Sequence, residues 1–324
     1  MLARFGTRGL IALAMMVCLI ARVAAQDLPS GTITLIVPYA PGGIVDVTSR
    51  LYADALSRRL GLTIVVENRP AGGGAVAVMS VKNASPDGRT LLVHPGTTLA
   101  ALPFLERLAY DPLKDFEPVA ALFDLLNFIA VPADSAANTI PQLLDLWKSK
   151  PGGLNVGSAG FGSPAHFNSV ILSLDNALPI TMVQYRGSYP LTTDLISSRI
   201  DMAMISYIVA QPFIQARKIK ILAQDGATRW SGMPDMPTMI ESGQLKKKAS
   251  GWYAVSAPAG TPKAIVDRLN SEFIMASREP RLAARLQESG VLTKTATPEE
   301  LRTLMRAEVE IVRPLVKSLG MAPN

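Results

Sequence analysis

The chain has 324 residues, 48% hydrophobic and 18% charged, with 24 glycines, 24 prolines, two histidines and one cysteine. That length accommodates two domains of ordinary size, and the apolar content excludes a disordered chain. A formal net charge of +6, scattered along the sequence, does not fit a nucleic-acid-binding protein, and one cysteine excludes an intramolecular disulfide framework.

The first segment reads as an export signal. Arg4 and Arg8 form a basic start, Gly9 to Ile20 is a short apolar run, and Val23-Ala24-Ala25 is an A-x-A-like cleavage site. Cleavage after Ala25 makes residues 1–25 a signal peptide. It removes Arg4, Arg8 and Arg22 and no acid, so the net charge falls from +6 to +3. It also removes Cys18, which leaves no thiol nucleophile and requires the cores to hold without a disulfide. No later segment reaches the ~18 consecutive apolar residues of a membrane span, so the processed chain is expected to be soluble.

Strand-like and helical patterns then alternate. "TITLIVPYA" (Thr32 to Ala40) is β-rich and ends in Pro-Gly-Gly. Val47, Leu51 and Ala55 follow at helical spacing, and Gly61 stops that helix. "LTIVVENRP" and "TLLVHPG" read as two further strands, and "EPVAALFDLLNFIAVPAD" suits a strand pair passing between domains. A second set begins at Leu154. "LNVGSAG" is a strand, Ser163 caps a helix, and Pro164 takes its first position. Strand "ITMVQYR", helix "PLTTDLISS", strands "IDMAMISY" and "IKILAQD", and strand "SGWYAVSAPAG" follow. Three helices close the chain, the last opening on the capping box Thr297-Pro298-Glu299-Glu300.

This alternation predicts an α/β fold whose sheets are mainly parallel and flanked by helices. The second set is nested inside the first. The expected division is a discontinuous first lobe, residues 26–122 plus 236–324, and a second lobe, residues 123–235. The one basic run, Lys246-Lys247-Lys248, reads as a solvated loop.

Two loops carry the chemistry: "PYAPGGIVD" (Pro38 to Asp46) and "GSAGFGSPAH" (Gly157 to His166). Each follows a strand, opens a helix and falls in a different lobe. Ligands of open parallel sheets bind outside the carboxyl ends of the strands. A helix N-terminus there offers free N–H groups and about half a positive charge. Glycines let a ligand approach the backbone closely. Neither loop contains the lysine of a P-loop. "GSAGFG" has its glycines in the wrong order for a dinucleotide turn. "GGGAVA" (Gly72 to Ala77) does match G-x-G-x-x-A, but Glu67 to Pro70 separate it from its strand and no acid lies about 20 residues on. No G-x-S-x-G elbow, H-E-x-x-H motif or cysteine cluster occurs.

Ser163 and His166 leave a hydrolase reading open, since both can face one cleft. The competing reading makes Ser163 an N-cap and puts His166 in the first turn beside a ligand. There it is expected to titrate near neutrality, its charged form favouring an anion. Asp46 is a candidate general base or, in the first turn of its helix, a support for the loop. Two facing helix ends without lysine, metal or nucleophile suit a carboxylate rather than a triphosphate.

The pieces "IVPYAPGGIVDVTSR", "VVENRPAGGGAVA", "SPDGRTLLV", "GSAGFGSPAHF", "VQYRGSYPLTTDLISSRID", "MPDMPTMIESG" and "WYAVSAPAGTPKAIVDRLN", in this order and spacing, also form a family pattern. Over essentially the whole chain beyond the signal, the sequence resembles the Bug-type periplasmic solute receptors of tripartite tricarboxylate transporters. The resemblance implies a two-lobe Venus flytrap fold, type II-like. It implies an organic acid ligand (a di- or tricarboxylate, an acidic amino acid or an aromatic acid), membrane permease subunits as partners, no cofactor and no catalysis. The expected form is a periplasmic monomer that binds no nucleic acid.

Carried over, the first ligand loop supplies Tyr39, Ala40, Gly42, Gly43, Ile44 and Asp46. The second supplies Ser158, Gly160, Phe161, Gly162, Ser163 and His166. Ile44 stands where the family commonly has a small or polar residue, which would narrow the pocket. Two alternatives remain: an exported α/β hydrolase using Ser163 and His166, and a receptor that feeds a membrane sensor.

Overall fold

The computed structural model describes residues 28, 30–105, 108–160, 162–185, 187–243, 245, 249, 251–288 and 290–318. The signal segment 1–25, Phe161 and Lys246 to Lys248 lie outside the described residues.

Among the described residues eleven strands form two sheets. They are β1 (Ile33–Val37), β2 (Ile64–Asn68), β3 (Thr90–Pro95), β4 (Phe116–Leu125), β5 (Asn127–Pro132), β6 (Leu154–Ser158), β7 (Ile180–Gln184), β8 (Met202–Ser206), β9 (Ile219–Gln224), β10 (Trp252–Pro258) and β11 (Val291–Thr293). The first sheet has the order β11-β4-β10-β3-β1-β2 and the second β7-β6-β8-β5-β9. This is the two-lobe α/β architecture expected.

The pairing is more mixed than expected. β1 pairs parallel with β2 and β3, and β6 with β7 and β8. β10 runs antiparallel to β3 and β4, β11 to β4, and β5 to β8 and β9. The reason is the passage between sheets. β4 and β5 are separated by Leu126 alone, and the chain returns between β9 and β10. A strand that enters from the other sheet needs no helical crossover, so it is free to lie antiparallel.

Among the described residues ten α-helices cover the sheets: α1 (Ile44–Leu60), α2 (Ala75–Lys82), α3 (Gly96–Leu105), α4 (Ile140–Ser149), α5 (Pro164–Asp175), α6 (Ser188–Ile196), α7 (Tyr207–Gln215), α8 (Lys263–Ser277), α9 (Pro280–Glu288) and α10 (Pro298–Ser318). The expected caps form. Gly61 ends α1, its N–H bonded to Ser57 O. At the start of α10, Thr297 N donates to Glu300 Oε2 at 2.8 Å and Glu300 N to Thr297 Oγ1 at 3.2 Å. The sequence reading passed over α2, α3, α4 and α7. Among the described residues no helix is long and apolar enough to cross a membrane.

One face of the first sheet packs on α1, α8 and α9 through Tyr52, Leu56, Leu269 and Phe273. Its other face packs Ile36, Leu92 and Trp252 against Leu99 and Leu102 of α3 and Leu301 and Met305 of α10. In the second sheet, Ile129, Val156 and Met204 pack with Trp147 and Phe167. Each buried Val, Leu, Ile or Phe stabilises by about 1.5–3 kcal/mol, so clusters of this size can sustain each lobe without a disulfide.

Two helices belong to both cores. Ala101 and Leu105 of α3, and Val309, Val312 and Val316 of α10, join the cluster of the second sheet. α3 and α10 also pack on each other. α3 is apolar on all sides, as a helix buried between two cores must be. The two strand crossings are therefore backed by a packed helix pair.

Candidate ligand-binding site

β1 lies between β2 and β3, and β6 between β7 and β8, so each loop opens at the carboxyl end of a strand with parallel neighbours on both sides. In the first loop, Ala40, Gly42 and Gly43 are exposed, while Tyr39 and Ile44 are half-buried against the first core. Gly43 caps α1 with extended backbone and without a side-chain bond. The first-turn amides of α1 have no partner within the helix and face the loop.

Asp46 organises this loop. Its Oδ2 accepts from Gly42 N at 2.9 Å, and Arg50 pairs with it through Nε at 3.2 Å and through the guanidinium terminus at 2.9 Å. Arg50 also donates to Asn68 Oδ1 at 3.1 Å, and Asn68 Nδ2 donates to Tyr39 O at 3.0 Å. Burial pushes the Asp46 carboxyl up, but the Gly42 amide, Arg50 and Asn68 together bring it below its ordinary value. The geometry is that of a loop support rather than a poised base. Arg50 and Asn68 are the members of this set that the sequence reading missed. The glycine run at 72–74 packs beside the same loop: a Cβ on Gly74 would lie 2.9 Å from Cβ of Pro38. That packing accounts for a glycine without a nucleotide.

In the second loop, Ser158 is buried and its Oγ donates to Gly160 O at 3.2 Å. Ser163 caps α5 as expected: its Oγ accepts from His166 N at 3.2 Å, with Pro164 in the first turn. His166 is 1% exposed, and its Nδ1 accepts the N–H of Gly162 at 2.9 Å. Burial pushes its imidazole down to about 4. The expectation of a histidine titrating near neutrality is therefore corrected: the ring is neutral and serves the loop.

The two loops meet. The Tyr39 hydroxyl lies 3.0 Å from Thr98 Oγ1, which donates to Gly162 O at 3.3 Å. A Cβ on Gly160 would sit 3.9 Å from Cε1 of Tyr39. Thr98 is a further residue absent from the sequence reading. Its signal was available, because "TLLVHPGTT" is a third strand-to-helix junction, and β3 pairs directly with β1. Among the described residues no group of three or more His, Cys, Asp or Glu is placed to hold a metal ion. The donors that the two helix ends offer a ligand are backbone amides, which suit an anion held by hydrogen bonds.

The model of the tripartite tricarboxylate transporter family receptor matches residues 48–321. The fold is similar to that of the periplasmic binding protein BugD, with 27% identity, a TM-score of 0.80, and coverage of 91% of this chain and 100% of that one. It is similar to an R. palustris protein solved with adipate, at 29% identity and a TM-score of 0.82 over 92% of this chain and 100% of that one. It is also similar to MatC from Rhodopseudomonas palustris with bound malate, at 30% identity and a TM-score of 0.79 over 89% and 99% of the two chains. By sequence and by fold, the chain belongs to the tripartite tricarboxylate transporter receptor family, as a Bug-type periplasmic solute-binding receptor.

Proposed function

We propose that this receptor captures a small organic carboxylate between its lobes and delivers it to the membrane permease subunits of a tripartite transporter. The observation that carries the proposal is the meeting of two glycine loops, one from each sheet, each opening a helix N-terminus, at Thr98. Adipate and malate in two relatives support a carboxylate. The ligand-contacting set is Tyr39 to Asp46 with Ser158 to His166. The lobes divide at the strand crossings, at Leu126 and in the return segment before β10, close to residues 122/123 and 235/236. Residues 1–25 are removed on export, and the processed chain acts in the periplasm as a monomer.

Closure is a hinge motion, and a ligand that touches both lobes favours the closed state because its binding energy differs between the two. Each helix terminus contributes ~0.3–2 kcal/mol to anion binding. Micromolar affinity needs about 8 kcal/mol, so amide hydrogen bonds, bridging water and burial supply most of it. The receptor is not catalytic. Ser163 Oγ is engaged with a backbone amide and His166 Nδ1 with Gly162, which supports structural roles for both.

A thermal-shift screen of organic acids tests the proposal. A carboxylate at 100 times its Kd is expected to add about 2.7 kcal/mol, with no response to ATP or NAD. Stabilisation by a nucleotide and by no organic acid would overturn it.

A further inference from the structure

We propose that Thr98 is a positioning residue of this receptor, its single hydroxyl coupling the two ligand loops and setting their separation. The proposal rests on the carboxylate-receptor reading and adds a residue outside both loops.

Thr98 is placed for this by the fold. β3 lies beside β1 in parallel register, Thr34 opposite Thr90, so the start of α3 opens on the same sheet edge as the first loop. α3 is one of the two helices shared by both cores, with Leu99 and Leu102 in one and Ala101 and Leu105 in the other. Thr98 is 1% exposed. A side chain on this helix therefore sits at the seam between the two cores.

The polarity of the contact follows from valence. Gly162 O can only accept, so the Thr98 O–H donates to it. Thr98 has no second proton, so the Tyr39 O–H must donate to Thr98 Oγ1. Burial pushes the Tyr39 phenol up to about 12, so it keeps that proton throughout the working pH range. The result is a directional relay from Tyr39 through Thr98 to Gly162. Gly162 N is held in turn by His166 Nδ1. The peptide unit on each side of Gly162 is thus pinned by a side chain. The Tyr39 proton is committed to the relay, which leaves the backbone amides to meet the anion.

Binding of malate and of adipate to the purified chain and its variants, by titration calorimetry, tests the relay. Thr98→Val, which keeps shape and removes the hydroxyl, is expected to weaken whichever acid binds by about tenfold or more, because it strands two buried polar groups. Thr98→Ser is expected to recover affinity to within about threefold. Tyr39→Phe weakens binding, and the double variant Tyr39→Phe/Thr98→Val is no worse than Thr98→Val alone, as members of one relay require. Unaltered affinity in Thr98→Val, or additive losses with no rescue by serine, overturns the proposal. If Thr98→Val does not fold, Tyr39→Phe carries the test.

Small-angle scattering of the ligand-free chain separates this proposal from the receptor reading. Loss of the relay is expected to expand the ligand-free chain in Thr98→Val and Tyr39→Phe but not in Thr98→Ser. If neither acid binds the unaltered chain, that pattern still supports the relay. Identical scattering from all variants refutes it whatever the ligand.

Discussion

Gly162 donates its N–H to Nδ1 of His166 at 2.9 Å. That bond requires an unprotonated Nδ1, and burial holds the ring at about 4, well below the free imidazole. Ligand affinity is therefore expected to stay flat between about pH 8 and about pH 5.5, where an exposed histidine would charge. Titration calorimetry across that range checks it. An affinity that rises on acidification, and no longer does so in His166→Gln, would show that the ring charges after all.

The same burial makes a stability prediction. The folded value of about 4 lies below the ordinary value of about 6.5, so the unfolded chain takes up a proton that the folded chain refuses. The contribution of His166 is fully present above about pH 6.5 and is lost as pH falls towards 4. His94, also buried and held at about 4, behaves alike. Each contributes a slope of about 1.4 kcal/mol per pH unit in that window. Urea unfolding between about pH 5 and 6.5 should show a slope smaller in His166→Gln than in the unaltered chain by up to about 1.4 kcal/mol per pH unit. An unchanged slope would mean that the histidines titrate equally in both states.

Gly43 and Gly162 should respond differently to a methyl group. Gly43 has φ −73°, and a Cβ there meets only Ala40 O at 3.6 Å, an ordinary contact. Gly162 has φ +72° and is buried. Gly43→Ala is expected to keep its stability and lose affinity, because only the space in front of the α1 amides changes. Gly162→Ala should lose about 1 kcal/mol of stability from backbone strain before any effect on binding. Melting temperature and affinity measured on both variants decide. Wild-type binding by Gly43→Ala would make the first loop a structural turn.

These glycines also show what the sequence disclosed. Local signals were legible: Ser163 and Pro164 at the start of α5, the capping box at Thr297, Gly61 after α1, and the two strand-to-helix junctions. The nesting of one strand–helix set inside the other predicted the two lobes, and the family pattern agreed with it. What stayed hidden depends on long-range pairing. Thr98 gains its place only because β3 lies beside β1, and Asn68 because β2 lies on the other side. α3 passed unnoticed because a helix buried on all sides has no amphipathic period. The antiparallel strands were misjudged because alternation of strand and helix says nothing about chain direction at a crossing.

Asp46 gives a graded prediction. Asp46→Asn keeps an oxygen for Gly42 N and loses the charge pairing with Arg50, whose side chain is 52% exposed. An ion pair so accessible to water is worth little, so the loss in stability should stay within about 1 kcal/mol and affinity should fall only a few-fold. Asp46→Leu removes the acceptor too, and the first loop should lose its shape and its ligand. Amide exchange at Gly42 and calorimetry check both. Equal binding by Asp46→Leu would remove Asp46 from the site.

The last prediction concerns α3 and α10. Met305 packs in the core of the first sheet, and Val312, fully buried, in that of the second. Unfolding either lobe therefore strips half of α10 from its packing, and the two lobes should melt together. Trp252 and Trp147 sit in the respective cores, and each reports its own core by fluorescence when the other and Trp230 are both replaced by Phe. The unaltered packing predicts coincident transitions from both reporters. Val312→Asp buries an unpaired charge on the second-lobe half of the helix alone. It should uncouple the transitions, with the Trp147 signal lost at a lower temperature than that of Trp252. Transitions already separate in the single-reporter chains, or still coincident in a destabilised Val312→Asp, would show that the strand crossings and not α10 set the coupling between lobes.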